Sequence, residues 1–451
     1  MQFEEYFDSL KNKKIAVLGL GVSNRPLVKL LLEHGCTVIG CDRTPREKLD
    51  AEVLDLEKQG CVLNLGEDYL DIPGADLVFR TPGLHPAKLE HLKAQGAAIT
   101  SEMAVFFRLC PCTILAVTGS DGKTTTTTLI SEMLKAEGNT VWLGGNIGTP
   151  LLSLVPQMKE TDYAVVELSS FQLMDMEHSP HIAVITNLAP NHLDVHKDME
   201  EYVEAKKAIY RYQTDGDILI VNGDNSLTAP LLGPGKTRYF SHSGATRNGT
   251  YLENDTVYRD GKPILTKKDI AIPGEHNVEN YMAAILAVEG LVKDETILNV
   301  ARTFGGVEHR IELVRVKDGV KFYNDSIASS PSRTMAGLNS FTEKVLLIAG
   351  GYDKHIPFDV LGPIVCQKVK TLYLNGATAA QIRQAVENAP EYQPGFPKIV
   401  DCGDFTTAVK AAAMQAKEGD IVLMSPACAA FDQFKNFMER GNYFKTLIKE
   451  L

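Results

Sequence analysis

A glycine-rich turn between an apolar strand and a helix constrains this chain more than any other stretch. The segment 116–128 reads AVTGSDGKTTTTT and follows a predicted strand at 113–117. Gly119 and Gly122 free the backbone to turn its N–H groups inward, and the start of the next helix adds positive potential. This succession of strand, turn and helix is typical of a loop that cradles phosphates.

The side chains beside the turn favour a nucleotide as the ligand. Lys123 can reach outer phosphates, and Thr124 can offer its hydroxyl to Mg²⁺. Val117 stands at the first glycine of the usual G-x-x-x-x-G-K-[ST] pattern, so the loop is a shortened form. An ordinary surface turn is the alternative, but the strand before it and the helix after it favour nucleotide binding.

Length, charge and cysteine usage limit the class of protein. A chain of 451 residues predicts about three domains. The net charge of -11 argues against nucleic-acid binding and against an anionic membrane surface as a partner. The eight cysteines are scattered, the N-terminus lacks an apolar segment, and no apolar run approaches membrane-span length. We expect a cytoplasmic protein without membrane insertion.

The first block of the chain opens with a strand, a turn and a helix. Predicted strands at 14–18 and 37–41 flank the sequence GLGVSN. A dinucleotide fingerprint would have a third glycine where Asn24 stands, which argues against a dinucleotide oxidoreductase. A second turn, at 80–83, follows the predicted strand 76–79 and would lie at the same carboxyl edge of the sheet. Whether these turns hold a ligand stays open from the residues alone.

Polar residues also end the strands of the central block. The strand 163–166 leads into Glu167, and the strand 182–186 leads towards His192. Strands that alternate with helices predict a parallel sheet, whose carboxyl edge would bring Glu167, His192 and Lys123 together. Glu167 suits Mg²⁺, a hard ion that takes oxygen ligands. His192 is a softer donor, so a hydrogen-bonded structural histidine is the alternative.

Two pairs of polar residues lie in predicted helices further on. Lys206 and Lys207 belong to a helix at 199–212, and adjacent lysines of this kind usually belong to a solvated face. Asn277 and Asn280 are three residues apart, so they share a helix face and could both reach a ligand. Strands that alternate with helices in the last third of the chain predict a further α/β layer.

The order of the motifs along the chain points to a family. VELSSFQL, NHLD, EAKKAIY, GEHNVEN, EHRIE, NDS and SPACAAFDQFKNF follow one another, and with the shortened phosphate loop they resemble the Mur ligases over nearly the whole chain. The resemblance implies an α/β fold of three domains. These would be a Rossmann-like UDP-binding domain at 1–99, a central P-loop ATPase domain with a parallel sheet at 100–305, and a C-terminal Rossmann-like amino-acid-binding domain at 306–451.

The activity that the resemblance implies is ATP-dependent amide-bond formation in peptidoglycan precursor synthesis. The carboxylate of UDP-N-acetylmuramoyl-L-alanine would attack the γ-phosphate of ATP, and the amine of D-glutamate would then displace phosphate from the acyl phosphate. Mg²⁺, as two ions, and ATP are the implied cofactor and co-substrate, and the implied protein is a monomer. The segment SPACAAFDQF favours D-glutamate as the incoming amino acid. A Mur-type ligase for another amino acid and a non-catalytic nucleotide-binding module are the alternatives.

The resemblance also assigns site residues. The catalytic residues would be Lys123, His192 and Lys206, the last carried as a carbamate, and the metal set would be Thr124, Glu167, His192 and Lys206. The ATP-binding residues would be Gly119, Ser120, Asp121, Gly122, Lys123, Thr124, Thr125, Asn277, Asn280, Arg310 and Asp325. The UDP pocket would hold Val22, Ser23, Asp42, Arg43, Thr81 and Gly83, and the muramoyl-alanine arm would meet Asn146, Ser169 and Gln172. The D-glutamate pocket would contain Lys354, Phe431 and Phe437.

The chain departs from the family pattern at three positions. Asp121 stands where the family's loop usually has asparagine, and it places an extra anion near the phosphates unless it turns away. Ile327 replaces a lysine that shortly follows the NDS turn, and Ala430 replaces a serine of the amino-acid pocket. A glutamate carboxylate without a donor would bind poorly, so we expect Arg333 or Ser329 to substitute.

Overall fold

The computed structural model of the chain describes residues 2–190 and 196–451. His192, which the sequence assigns to the metal set, lies outside these described residues. The described strands and helices form three α/β layers, each built on a sheet in which most neighbouring strands are parallel. The predicted α/β fold with parallel-rich sheets is confirmed.

The first sheet has five parallel strands in the order β3-β2-β1-β4-β5. The strands are β1 (Lys14–Leu18), β2 (Thr37–Asp42), β3 (Val62–Leu65), β4 (Leu77–Phe79) and β5 (Ala98–Thr100), and the helices are α1 (Phe3–Asp8), α2 (Arg25–Glu33), α3 (Ala51–Lys58) and α4 (Glu90–Ala94). Because β1 and β4 are neighbours, the turns at 19–24 and 80–84 lie at one carboxyl edge, as the sequence predicts.

The second sheet has nine strands in the order β14-β13-β12-β11-β10-β9-β6-β8-β7. They are β6 (Thr113–Thr118), β7 (Val141–Gly145), β8 (Tyr163–Glu167), β9 (Ile182–Ile185), β10 (Ile218–Asn222), β11 (Lys236–Ser241), β12 (Gly249–Glu253), β13 (Thr256–Arg259) and β14 (Lys262–Thr266). The accompanying helices are α5 (Glu102–Leu109), α6 (Lys123–Ala136), α7 (Ser170–Leu173), α8 (Met199–Arg211), α9 (Glu275–Ala287) and α10 (Asp294–Thr303). Strands β12 to β14 pair antiparallel, and β14 forms one edge of the sheet.

The third sheet has six strands in the order β15-β16-β20-β17-β18-β19, of which only β15 runs antiparallel to its neighbour. The strands are β15 (Glu312–Lys317), β16 (Val320–Asn324), β17 (Val345–Gly350), β18 (Val369–Asn375), β19 (Lys398–Gly403) and β20 (Ile421–Met424). The helices are α11 (Pro331–Asn339), α12 (Leu361–Lys368), α13 (Ala379–Glu387), α14 (Phe405–Gln415) and α15 (Phe437–Glu450). Short 3₁₀ helices lie at Arg46–Lys48, Pro86–Leu89, Leu152–Gln157 and Lys267–Asp269.

The chain divides into two compact units. The first contains residues 1–267 and 279–300 and therefore holds the first two sheets, and the second contains residues 268–278 and 301–451 and holds the third sheet. The three domain ranges expected from the resemblance stay predictions. None of the described helices combines the length and the apolar character that a membrane span requires.

The parallel strands are buried along nearly their whole length. In β1 the side chains from Ile15 to Leu18 are fully buried, and in β6 those from Ile114 to Thr118 are buried. Near-continuous apolar runs of this kind are typical of strands whose two faces are both covered. One apolar core in the first unit contains residues of both sheets, among them Val17, Ala116 and Phe106 of α5.

A buried carboxyl group lies at the start of α5. Glu102 is buried, and its Oε1 accepts a hydrogen bond of 2.9 Å from the backbone N–H of Leu152. Burial raises its pKa to about 7, although hydrogen bonds from the N–H groups of Leu152 and Leu151 oppose the shift. The folded state therefore favours the protonated carboxyl group, and folding stability falls as the pH rises towards 7.

We predict that Glu102→Gln stabilises the first unit at alkaline pH. The unfolded carboxyl loses its proton at lower pH than the folded one, so the wild type loses stability between the unfolded value and about 7. Relative to the wild type, the free energy of unfolding of the variant should rise by up to about 3 kcal/mol between about pH 5 and about pH 8.5. Urea titrations that follow the fluorescence of Trp142, the single tryptophan, measure this difference. The exposed Glu177→Gln is the control, and an equal pH response in both variants would contradict the prediction.

Candidate active site

The predicted phosphate turn lies between the end of β6 and the start of α6. Gly119 has a φ of +147°, and a Cβ atom there would lie 1.9 Å from Oγ1 of Thr186. Gly122 has a φ of +78°, and a Cβ atom there would lie 2.3 Å from Oδ1 of Asn280. Both positions need glycine for backbone conformation and for space. The contact also places Asn280, a predicted ATP residue, directly against the turn.

The backbone N–H groups of the turn divide into two sets. Those of Ser120 and Asp121 donate to the carbonyl oxygen and to Oδ1 of Asn187, each at 2.9 Å. The helical ladder of α6 begins with the N–H of Thr126, which donates to Gly122 at 2.9 Å. The N–H groups of residues 123–125 precede this bond, as the first N–H groups of a helix do. These first-turn groups are the ones that can bind an anion.

The side chains of the turn differ in their exposure to solvent. The hydroxyl of Ser120 is buried and donates to the carbonyl of Ala189 at 2.9 Å, so this hydroxyl helps to hold the turn in place. The carboxylate of Asp121 is exposed, which allows it to turn away from a bound phosphate. Thr124 and Thr125 are half-buried in the first turn of α6.

Two lysine amines meet at the carbonyl oxygen of Gly119. Lys123 donates to it at 3.0 Å, and Lys206 of α8 donates to it at 2.9 Å and to Oγ1 of Thr118 at 3.1 Å. Lys206 is 2% exposed. Burial, and next the charge of Lys123, lower the pKa of Lys206 well below its usual value, while the charge of Glu167 opposes the shift. The expectation of a solvated face is therefore wrong for Lys206.

Glu167 presents a carboxylate oxygen that the described protein does not satisfy. The residue is 1% exposed at the end of β8, and its Oε1 accepts a hydrogen bond of 2.7 Å from Nδ2 of Asn146. Its Oε2 is buried and has no hydrogen-bond partner in the described part of the chain. A buried carboxylate oxygen without a partner is costly unless a cation or water binds it. This oxygen is where the sequence predicts Mg²⁺.

The composition of the metal set differs from that of a transition-metal site. Residues 2–190 and 196–451 contain no group of three or more His, Cys, Asp and Glu side chains that could hold a metal ion. The predicted set draws instead on the hydroxyl of Thr124, the carboxylate of Glu167 and the side chain of Lys206. Its fourth member, His192, lies outside the described residues.

The residues predicted for the muramoyl-alanine arm lie beside Glu167. Asn146 donates its backbone N–H to the carbonyl of Glu167 at 2.8 Å, in addition to the side-chain bond. Ser169 and Gln172 form the capping box of α7, in which the Ser169 hydroxyl and N–H donate to Oε1 of Gln172. The structure thus brings Asn146, Glu167 and α7 together at one strand end, and it gives Ser169 and Gln172 a structural contact.

The residues predicted for the UDP pocket surround the two turns of the first sheet. The carboxylate of Asp42 accepts hydrogen bonds of 2.8 Å from the N–H groups of Leu20 and Thr44. A Cβ atom on Gly19 would lie 3.0 Å from Thr81, so the two turns are in close contact. The other predicted residues of this pocket are exposed, namely Val22, Ser23, Arg43 and Gly83.

Asn24 explains how the first turn closes without a third glycine. Its side chain is buried, and Nδ2 donates to the carbonyl groups of Leu18 and Gly19 at 3.0 and 2.9 Å. The amide therefore holds the turn from inside, where a glycine would leave room for close backbone approach. The asparagine that interrupts the dinucleotide fingerprint in the sequence therefore has a structural function in this turn.

In the second unit, three predicted residues lie close together. Asp325 is buried, and its Oδ2 accepts a hydrogen bond of 2.7 Å from the hydroxyl of Ser425. Burial raises the pKa of Asp325 to about 7, while the Ser425 hydrogen bond, the N–H of Ile311 and the charges of Arg310 and Arg333 oppose the rise. Arg310 and Arg333 are both exposed, so the cluster is a buried acid under two surface cations.

Asn277 and Asn280 share α9 but differ in their contacts. Nδ2 of Asn277 donates to the carbonyl of Pro273 at 2.6 Å, within the second unit. Oδ1 of Asn280 accepts a hydrogen bond of 3.2 Å from Thr126 of α6, within the first unit. The contacts of Asn280 with Thr126 and with Gly122 place its side chain beside the phosphate turn.

Of the residues predicted for the D-glutamate pocket, Lys354 and Phe431 lie on loops of the second unit and Phe437 lies at the start of a helix. The ring of Phe431 is 60% exposed and packs edge-on against Tyr352, with 5.8 Å between the ring centroids. Lys354, which follows Tyr352 by two residues in the chain, is exposed. Phe437 begins α15, and its ring packs edge-on against His309 at 5.9 Å.

Sequence reasoning missed several residues that hold these loops in place. Arg440 is 2% exposed, and its guanidinium donates to the carbonyl groups of Ser326, Cys428 and Ala429 at 2.9 to 3.1 Å. It thereby links the segment beside Asp325 to the segment before Phe431. In the sequence it looks like one more helical surface charge, so no signal marks it.

The positions of two other residues, Asn187 and Lys206, could have been interpreted correctly from the sequence. Asn187 is a polar residue directly after a buried strand, which is the position that serves ligand edges. In α8, Tyr202 and Ile209 stand four residues before and three residues after Lys206, so the helical period places Lys206 on the apolar face. Tyr202 is buried there, and its ring lies 4.8 Å below the Lys206 amine.

Comparison with known proteins identifies the family. The Mur ligase middle domain matches residues 117–288, and the Mur ligase glutamate ligase domain matches residues 309–428. The solved UDP-N-acetylmuramate–alanine ligase MurC of Thermotoga maritima has a TM-score of 0.57 at 19% identity, covering 97% of this chain and 100% of that one. The pseudomurein peptide ligase type C of Methanothermus fervidus has a TM-score of 0.51 at 20% identity, with coverage of 97% and 100%. These two structures show the shared fold.

The chain belongs to the Mur ligase family, and it is a ligase. Its curated relatives include two UDP-N-acetylmuramoylalanine–D-glutamate ligases. That of Acetivibrio thermocellus is 51% identical over 462 aligned residues, which cover 100% of this chain and 99% of the relative. That of Clostridium botulinum strain 657 is 49% identical over 454 aligned residues, with the same coverage. The family resemblance expected from the motifs is confirmed.

We predict that Gly122→Ala weakens nucleotide binding. The new Cβ atom would force Asn280 away from Thr126 and would require a left-handed conformation from alanine. The affinity for a non-hydrolysable ATP analogue, measured by calorimetry, should fall by about tenfold or more. Gly138→Ala is the matched control, because Gly138 has a φ of +97° and no atom within 4 Å of its Cβ position. Equal affinities for the two variants would contradict the prediction.

Proposed function

We propose that the chain joins D-glutamate to UDP-N-acetylmuramoyl-L-alanine, with conversion of ATP to ADP and phosphate through an acyl phosphate, in peptidoglycan precursor synthesis. The observation that carries the proposal is the cluster at the glycine turn, where Lys123 and the buried Lys206 donate to the same carbonyl oxygen and the charge of Glu167 acts on Lys206. A buried oxygen of Glu167 has no hydrogen-bond partner among the described residues. The names of relatives about half identical over the whole chain support the choice of substrates. We place the reaction in the cytoplasm and expect a monomer.

The chemistry explains why the cluster is cationic. A carboxylate must attack the γ-phosphate, so two anions have to approach each other. The first-turn N–H groups of α6 and the ammonium of Lys123 would neutralise the charge that develops on the transferring phosphoryl group. The acyl phosphate formed in this step then reacts with the amine of D-glutamate, and phosphate leaves. Water has to be excluded meanwhile, because water would hydrolyse the acyl phosphate.

The residues present fit magnesium. The buried Oε2 of Glu167 lacks a partner in the described chain, and oxygen is the donor that Mg²⁺ prefers. Thr124, Glu167, His192 and Lys206 would hold two ions, with Lys206 contributing oxygen as a carbamate. When bound, Mg²⁺ supplies positive charge that the phosphate oxygens share.

The remaining substrate contacts are proposed from the same resemblance. The UDP part would bind at the two turns of the first sheet, and the acid arm would bind beside α7, next to Glu167. The ATP base and ribose would meet Asn277, Asn280, Arg310 and Asp325. D-glutamate would bind near Lys354, Phe431 and Phe437, with Arg333 supplying the donor that Ile327 cannot.

An assay of phosphate release tests the proposed function. With ATP, Mg²⁺ and UDP-N-acetylmuramoyl-L-alanine, the enzyme should release phosphate in the presence of D-glutamate and form the amide product. Lys206→Met should reduce the rate by at least about a hundredfold, because it removes the nitrogen that the carbamate requires. L-alanine and the diamino acid L-lysine are offered singly as alternative substrates. Release with one of these and none with D-glutamate would reject the proposed amino acid.

We predict that Arg333→Ala raises the Michaelis constant for D-glutamate. Arg333 is exposed near Asp325, and its Nη1 donates to the carbonyl of Ile327 at 3.2 Å, so it stands beside the position of the missing lysine. Loss of a charge-assisted hydrogen bond should raise this constant by about tenfold and leave that for ATP within about twofold. Arg383→Ala on α13, whose arginine pairs with Glu387 at 3.5 Å, is the control. An unchanged constant for D-glutamate would exclude Arg333.

A further inference from the structure

Arg80 is the most completely buried large cation in the described part of the first sheet. It follows β4 directly, its side chain is 0% exposed, and its backbone N–H donates to the carbonyl of Thr100 at 2.8 Å. A buried guanidinium is costly unless its donors are all used. The acceptors that surround Arg80 therefore show what the residue is there to hold.

The first group of acceptors belongs to the turn that follows Arg80 itself. Nη1 donates to the carbonyl groups of Leu84, Pro82 and Thr81, at 2.6, 3.2 and 3.3 Å. The turn thus wraps around its own preceding side chain. Thr81 and Gly83, which are proposed to bind the UDP part of the substrate, lie inside this wrapped segment.

The second group of acceptors lies about ninety residues further along the chain, in the second sheet's layer. Nη2 donates to the carbonyl of Phe171 in α7 at 2.7 Å. Nε donates to the carboxylate of Asp175, just after α7, and this carboxylate is 13% exposed. Phe171 stands between Ser170 and Gln172, so the contact reaches the helix that is proposed to face the acid arm of the substrate.

We infer that Arg80 and Asp175 form a positioning pair that fixes the distance between the uridine-binding turn and the acid-binding helix α7. The nucleotide-sugar substrate has to touch both places at once, since its UDP part and its carboxylate are at opposite ends. A guanidinium saturated by both segments holds them in one geometry before the substrate arrives. The substrate's carboxylate is thereby aligned without a further loss of conformational freedom.

A second link supports this function of the turn. His85, one residue after the wrapped segment, has its Nε2 3.5 Å from Oε1 of Glu201 in α8. Helix α8 is the helix that carries Lys206. The same turn of the first sheet is therefore tied to both helices that supply the reaction centre, and the planar fork of Arg80 makes the shorter and more numerous contacts.

The inference rests on the proposed function, and the substitutions Arg80→Lys and Asp175→Asn test it. Lysine keeps a positive charge but cannot bridge the two segments, and asparagine keeps the shape of the carboxylate while removing its charge. Both substitutions are mild enough to keep the chain folded, which circular dichroism at the assay temperature checks. The matched control is Arg259→Lys, since Arg259 pairs with Asp294 at 2.7 Å in a half-buried ion pair of β13.

The readout is a comparison of two ligands that differ in length. UDP alone touches only the turn, so its dissociation constant should stay within about twofold in Asp175→Asn, which leaves the bonds from Arg80 to the turn in place. UDP-N-acetylmuramoyl-L-alanine spans turn and helix, so its kcat/KM should fall by about tenfold or more in Arg80→Lys and in Asp175→Asn, while the KM for ATP stays within about twofold. The double variant should lose no more than Arg80→Lys alone. Arg259→Lys should behave as the wild type.

Two results would overturn the inference. One is an unchanged kcat/KM for the full substrate in Arg80→Lys, and the other is a loss shared equally by UDP, ATP and the full substrate in Asp175→Asn, which indicates a merely structural pair. Failure of the proposed function looks different, because the wild type itself would then release no phosphate with D-glutamate. In that case the binding comparison between UDP and UDP-N-acetylmuramoyl-L-alanine still decides for or against Arg80.

Discussion

The packing of a lysine amine against the carbonyl side of a glycine turn is the constraint on which the rest of the site depends. Lys206 reaches Gly119 and Thr118 from α8, so α8 must dock against the end of β6. Lys123 reaches the same carbonyl from α6. Two cations at one backbone oxygen repel each other unless one is neutral or an anion joins them. The buried carboxylate of Glu167 and a bound nucleotide are the anions that such an arrangement accommodates.

The first sheet is fitted to this centre through polar contacts as well as through the shared apolar core. Apolar contacts alone let helices and turns slide by small amounts, whereas a guanidinium has directional donors. Arg80 uses those donors on carbonyl groups of two segments that are far apart in the chain. Asn24 does the same on a smaller scale within the neighbouring turn. Hydrogen bonds from an amide and a guanidinium group thus hold these turns, whereas a dinucleotide-binding fold uses glycines for close packing there.

Much of the fold followed from local patterns in the sequence. The run LAVTGSDGK predicted β6, the turn and α6 because apolar strands, glycines and a helix start each have a short-range signature. The strand ends at Glu167 and Asn24's turn were found in the same way. The burial of Lys206 was missed because two adjacent lysines suggested solvent, although the spacing of Tyr202 and Ile209 places one of them inward. Arg80 and Asp175 could not be paired from the sequence, because ninety-five residues separate them and they follow elements that belong to two different sheet layers.

The antiparallel strands β12 to β14 at the end of the second sheet bear on whether copies of this chain can associate through their sheet edges. Strand β14 forms one edge of the sheet, and edge strands can pair with strands from other molecules. Pro263 has no N–H to offer there, Lys262 puts a charge beside it, and the ladder to β13 is irregular at Val257 and Tyr258. These features disfavour the addition of a strand from another molecule at this edge of the nine-stranded sheet.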